Sequence, residues 1–95
     1  MTVRFEWDEV KRRGNFRKHG VDFTDCPGVI LDSGSVTILD DRYFYDEDRF
    51  RTFGWLQDQL IVIAHTGFDD VVRIISARKA LRHEQENYFG IFRGE

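Results

Sequence analysis

Apolar and polar residues change their spacing several times along this chain, and each change marks an element. VRFEW, residues 3 to 7, alternates polar and apolar positions and predicts a short strand. Asp8 then stands where an N-cap belongs, and a helix is expected from there to about His19, stopped by Gly20. In VDFTDCPGVILDSG the apolar residues Phe23, Cys26, Pro27, Ile30 and Leu31 recur at i, i+3, i+4, i+7 and i+8. That predicts a second short helix, capped by Thr24, with Pro27 in its first turn and Gly28 weakening it.

The period then falls to that of strands. SVTIL is a short β-like run, and the acidic LDDRYFYDED, residues 39 to 48, reads as a turn with ragged strand ends. DRFRTFGWL (48–56), QLIVIAH (59–65) and VVRIISA (71–77) are rich in β-branched and aromatic residues, and the short connectors QD and TGFDD make them an antiparallel meander. ARKALRHEQENYF, 77 to 89, returns to helical spacing, with Ala77, Ala80, Leu81, Glu84 and Tyr88 on one side and Gly90 as the stop. The expected fold is therefore α+β: two N-terminal helices, an antiparallel sheet of three to four strands and a C-terminal helix, in one domain over residues 1 to 95.

Composition narrows the class. A chain of 95 residues holds one modest core, and 41% hydrophobic residues with nine Phe and one Pro is a globular composition. No window approaches the roughly 18 apolar residues of a membrane span, and the charged start does not read as a signal peptide, so a cytoplasmic protein is expected. The lone Cys26 cannot form an internal disulfide, and three scattered histidines offer no metal-ligand spacing; neither metal nor cofactor is expected. The net charge of −3 conceals an asymmetry: residues 1 to 20 carry six basic and three acidic groups, and residues 21 to 50 two and eight.

Candidate chemistry follows the basic clusters. KRRGNFRKHG, 11 to 20, crowds five cations and a histidine onto one helix, and His19 falls in the last turn, where the macrodipole favours a cation. Such an imidazole could move a proton while Lys11 and Lys18 hold a phosphate backbone; a solvated basic face is the plainer account.

Sheet register decides what the strand arginines can meet. A two-residue QD loop sets Arg51 opposite Ala64, on the face of Phe53, Trp55, Leu60 and Val62. A five-residue TGFDD loop sets His65 against Val71 and Arg73 across from Ile63, on the other face, and a one-residue slip would reverse that face. Arg73 reads equally well as the partner of an acid such as Glu84. Arg78 and Lys79 are expected at the start of the last helix, where cations oppose the dipole, so an anion is expected beside them. Glu84 and Tyr88, at i and i+4, could supply a carboxylate base and a phenol, or simply an amphipathic face with Tyr88 in the core. His65 is a reserve proton carrier, and Trp7 and Trp55 are expected in the core.

FEWDEVKRRGNFRKHGVDF, EDRFRTFG and VRIISARKALRHEQENY together resemble the BrnT-type toxins of bacterial toxin-antitoxin systems, over roughly residues 4 to 89. The family pattern, FEWDxxKxxxNxxKHGVxF and RIISARxAxxxExxxY, is matched at Asp8, Lys11, Asn15, Lys18 and His19, then at Arg73, Arg78, Glu84 and Tyr88, among others. The chain departs from it at DCPGVILDSG and AHTGFDDV. The resemblance implies a RelE-like fold, a metal-independent ribonuclease that halts translation, and inhibition by a BrnA-type antitoxin with a ribbon-helix-helix domain. Through that antitoxin the toxin would reach its own operator DNA as co-repressor. On this view His19 moves protons with Glu84 or Tyr88, while Arg51, Arg73 and Arg78 hold the transition-state charge. Lys11, Lys18 and Lys79 bind RNA. The rival expectation is a non-catalytic toxin or repressor subunit that grips a protein such as DNA gyrase, or only the antitoxin.

Overall fold

The computed structural model describes residues 2–41, 47–67 and 69–93, with side chains as far as residue 90. The element order is β1 (Arg4–Glu6), α1 (Glu9–His19), a 3₁₀ turn (Phe23–Asp25), α2 (Cys26–Leu31), β2 (Val36–Leu39), β3 (Arg49–Leu56), β4 (Gln59–Thr66), β5 (Val71–Lys79) and α3 (Arg82–Arg93). The α+β class holds, but the sheet is larger than expected and mixed. Five strands lie in the order β1-β5-β4-β3-β2, with β1 parallel to β5 and the other pairs antiparallel. The alternation of VRFEW marked a strand; its partner, some seventy residues downstream, left no local sign. The expected pair of N-terminal helices, behind the expected opening strand, differs in its second member, a six-residue continuation of a 3₁₀ turn. Asp22, rather than Thr24, caps that turn by accepting from the Thr24 N–H. Of the expected turn at 39 to 48, residues 42–46 lie outside the described residues.

The β3–β4 hairpin has the expected register, with Arg51 opposite Ala64 and Leu56 opposite Gln59. Its two-residue loop needs a positive φ, which Gln57 supplies at 58°. The β4–β5 register is different. Ala64 pairs with Ser76 but His65 pairs with Ile74, so Ile75 is an extra residue, a β-bulge. Thr66 belongs to β4 and faces Arg73, which corrects the expected pairings of His65 with Val71 and Arg73 with Ile63. A bulge reverses the alternation of faces. Arg73 before it and Ser76 and Arg78 after it therefore share the face of Arg51, while Val72, Ile74 and Ala77 share the other.

Each face has its own core. One holds Ile61, Ile63, Ile74 and Ala77 under Val21, Phe23, Cys26 and Val29, with Phe5 and Trp7 packed against them. Gly54 admits this layer, since a Cβ there would lie 2.6 Å from Val29 Cγ1. The other core holds Phe53, Leu60, Val62 and Ala80 under Tyr88 of α3. Trp55 is 39% exposed and so is not the core residue expected.

β5 runs on to Lys79 because residues 77–79 pair with β4, so α3 begins at Arg82, later than expected, and continues through Gly90 to Arg93. Glu84 starts it: its Oε1 accepts from the Leu81 N–H at 2.7 Å, half of a capping box.

β1 covers only the first three residues of β5, and Asn15 of α1 continues its work. Its amide donates to the carbonyls of Ala77 (2.8 Å) and Val21 (3.0 Å) and accepts from the Ala77 N–H (3.1 Å), completing the strand edge as a backbone would. Asp8 caps α1 through the N–H groups of Val10 and Lys11, and Arg12 ties the helix to Asp22. No residue of α1 is buried, so its cations form an open basic surface.

His65 is wholly buried, between Thr52 and Gly67, and stacks on Phe50 with ring centres 5.9 Å apart. The Gly67 carbonyl can only accept, so Nδ1 carries the proton and donates to it at 2.8 Å. Nε2 then accepts from Thr52, whose oxygen accepts from Thr37. Burial holds the ring's pKa below its ordinary value of 6.5. A fully buried, fully bonded ring has no access to substrate, which removes His65 as a proton carrier.

Two outcomes follow. Asn15→Ala should cost roughly 1–3 kcal/mol in urea unfolding, because the groups it satisfies lose their partners. A neutral buried His65 binds fewer protons than the unfolded chain, so its contribution is complete above pH 6.5 and shrinks as pH falls below that value. The loss should not exceed about 1.4 kcal/mol per pH unit. Melting temperatures taken between about pH 7.5 and about pH 5 check this, and a flat profile contradicts it.

Candidate active site

Among the described residues, the face opposite α1 is covered in part by α3. α3 packs over the apolar end of β3 and β4, and the rest of the face carries Arg49 and Arg51 from β3 with Arg73 and Arg78 from β5. Where α3 meets these strands, Arg78 and Glu84 form a two-point pair, Nη1 to Oε1 at 2.7 Å and Nη2 to Oε2 at 2.9 Å. Arg51 approaches the same carboxylate, with Nη1 3.8 Å from Oε2. Its Nε is buried and has no acceptor among the described residues, and its guanidinium lies 5.6 Å from the centre of the Phe53 ring. Two guanidiniums thus surround one buried carboxylate.

The hydrogen bonds from Arg78, and then that from Leu81, hold the Glu84 carboxyl below its ordinary pKa against the opposing effect of burial. Glu84 is therefore a committed anion that fixes the two cations. A carboxylate already bonded three ways is a weak proton acceptor.

Two of these groups, Arg51 and Glu84, border a cavity of about 270 Å³ between β2, β3 and α3, and Arg78 stands behind Glu84 outside its lining. Arg51 and Glu84 form its charged wall, Val36, Ile38, Phe53 and Tyr88 its apolar wall, and His83 and Asn87 its rim. Tyr88 is buried and its hydroxyl donates to the Gly34 carbonyl at 2.7 Å, which ties α3 to the loop before β2. That bond occupies the proton that a catalytic phenol would give.

The other expected site residues lie apart. Arg73 pairs with Glu6 at 3.6 Å, each side chain about half exposed, so its acid is Glu6 rather than Glu84. Lys79 is the last residue of β5 and borders a separate hollow with Trp55 and Asp58. Arg78 and Lys79 are strand residues, which overturns their expected place at a helix N-terminus; the anion beside Arg78 is the chain's own Glu84. His19 lies on α1, one turn beyond Asn15 and on the same helix side, towards the end of β5. Among the described residues no hydrogen bond or ion pair joins it to the cleft. Lys11 and Lys18 are exposed on the same helix.

Sequence reasoning missed His83 and Asn87. Their i, i+4 spacing beside the i, i+4 pair of Glu84 and Tyr88 was the available signal, for the four make one continuous helix surface. Cys26 is no rival nucleophile: burial pushes its thiol up to about 12. Among the described residues no helix is long and apolar enough to cross a membrane.

The family model described as "Ribonuclease toxin, BrnT, of type II toxin-antitoxin system" matches residues 7–84 of the chain. No curated protein matches it.

Glu84 both caps α3 and pairs with Arg78, so Glu84→Ala should lower stability by roughly 1–3 kcal/mol in denaturant unfolding. Glu84→Gln should lose less, since its carbonyl oxygen can still accept from Leu81.

Proposed function

The chain belongs to the BrnT family of ribonuclease toxins of type II toxin-antitoxin systems, and from that premise we propose that it is a RelE-like, metal-independent endoribonuclease. The scissile phosphodiester binds in the cleft of Arg51, Arg78, Glu84 and His83. One observation carries this reading: a carboxylate that pairs with the guanidinium of Arg78 and lies close to that of Arg51 lines, together with Arg51, an open cavity whose rim bears an imidazole.

RNA cleavage without a metal needs three things: removal of the 2′-hydroxyl proton, stabilisation of the phosphorane charge, and a proton for the departing 5′-oxygen. Arg51 and Arg78 supply the charge. Two cations against one carboxylate leave a net positive site, and the bonds to Glu84 fix the guanidinium of Arg78 before substrate arrives. Imidazole is the side chain suited to exchanging protons near neutral pH. His83, on the rim of the cavity, takes that role. Glu84 and Tyr88 act as positioning residues, and Arg73, Lys11, Lys18 and Lys79 hold flanking phosphates. Cleavage of cytoplasmic RNA then stops translation. A BrnA-type ribbon-helix-helix antitoxin neutralises the toxin, and the pair represses the operon at its operator DNA.

Arg51→Ala and Arg78→Ala should each slow cleavage of total RNA in EDTA by about 10²–10³-fold. His83→Ala should slow it by about 10²–10⁴-fold. Circular dichroism establishes that the variants are folded, and relief of growth arrest on induction should follow the loss of cleavage. Intact RNA together with capture of a protein such as DNA gyrase would favour the non-catalytic reading.

A further inference from the structure

The cleft has more apolar surface than phosphate binding requires. Val36 and Ile38 from β2 and Phe53 from β3 line one side of it, facing Asn87 and His83 of α3 across about 270 Å³. That volume is below the range of pockets for drug-sized molecules and suits a single ring system. Its charged wall is Arg51 with Glu84, and Arg51 is already placed as a phosphate ligand, so one ligand must present an anion to Arg51 and a flat apolar body a short distance away. A nucleotide does so, because its base hangs beside its own phosphate.

From this juxtaposition the geometry points to a base-reading pocket: the nucleobase next to the scissile phosphate lies on Val36, Ile38 and Phe53, and Asn87 reads its edge. The inference rests on the ribonuclease reading for the position of the phosphate, and it adds a specificity determinant to it. Asn87 suits the task because its amide carries both donors and an acceptor, the pattern needed to tell one base edge from another. Unlike Glu84 and Tyr88, Asn87 is exposed and has no hydrogen bond among the described residues, so its amide is free for a ligand. Lysine or arginine there would add affinity for any phosphate without discriminating among bases. Apolar walls with one neutral amide select by shape and edge.

The test is binding of the four nucleoside 3′-monophosphates to the full chain, followed by heteronuclear NMR, with inorganic phosphate as reference. One base should bind about 10-fold or more tighter than the weakest, the discrimination that one good edge contact gives. Asn87→Asp removes the donors at nearly constant shape and should abolish or reorder that preference. Arg51→Ala should weaken all four nucleotides together and leave their ranking intact. Binding of all four no better than inorganic phosphate, or a ranking unchanged by Asn87→Asp, overturns the pocket. Mapping of cleavage ends on a mixed-sequence RNA separates the two readings. A chain that ranks nucleotides through Asn87 but cuts no RNA retains the pocket and loses the nuclease. A chain that cuts RNA with the same end distribution before and after Asn87→Asp does the reverse.

Discussion

The extra residue at Ile75 is the constraint on which this architecture turns. β5 lies between β1 and β4 and must serve two faces: apolar side chains for the layer of the 3₁₀ turn and α2, and cations for the other face. Strict alternation from Val71 to Lys79 would put Arg73 and Arg78, five positions apart, on opposite faces. One would then lie in the core of Ile61, Ile63 and Phe23, where an unpaired guanidinium is costly. The bulge lets Val72, Ile74 and Ala77 be buried together while both arginines emerge on the side of Arg51. One irregularity in a ladder thus converts a strand that would be frustrated into one that is apolar on one side and basic on the other.

The same strand determines where the helices can go. β1 pairs with only three residues of β5, and Asn15 satisfies the next exposed backbone groups, so α1 is held at the sheet edge by an amide rather than by an apolar stripe. This accounts for a helix with no buried residue that still packs against β5, and it leaves the basic side chains of α1 in water. At the other end, β5 continues until Glu84 can reach back to Leu81. The carboxylate that begins α3 is also the partner of Arg78.

Local periodicity made much of this legible. The strands, the QD hairpin with Arg51 opposite Ala64, and the helix ending at His19 are all set by interactions among near neighbours. The pairing of β1 with β5, the bulge and the true start of α3 depend on contacts across the fold, and no spacing in the sequence encodes them. Arg78 shows the difference well. At a helix N-terminus it would oppose the dipole and call for an external anion; on a strand it is matched by Glu84, six residues on. The expected helix start with an external anion is thus replaced by a strand position with an internal partner. His83 was overlooked because a histidine among Arg82, Glu84 and Glu86 has the look of a solvated helix face. Only the position of α3 over β2 and β3 turns it towards a cleft.

A buried carboxylate in a site meant for phosphate calls for an explanation, since its charge repels the ligand. Without Glu84 the cleft would carry two positive charges instead of a net one, but charge alone is a poor measure of such a site. A free arginine side chain spreads over many rotamers, and ordering it on substrate would cost up to about 2 kcal/mol. The two-point pair fixes the guanidinium in advance. Arg51 is held less tightly, at 3.8 Å from the same carboxylate, and its buried Nε has no acceptor among the described residues. Preorganised donors stabilise developing charge without reorganising at the moment of reaction, which a larger but mobile positive charge cannot match. Glu84 thus gives up part of the attraction for phosphate in exchange for direction, and the same side chain starts the helix that carries His83 and Asn87 to the rim.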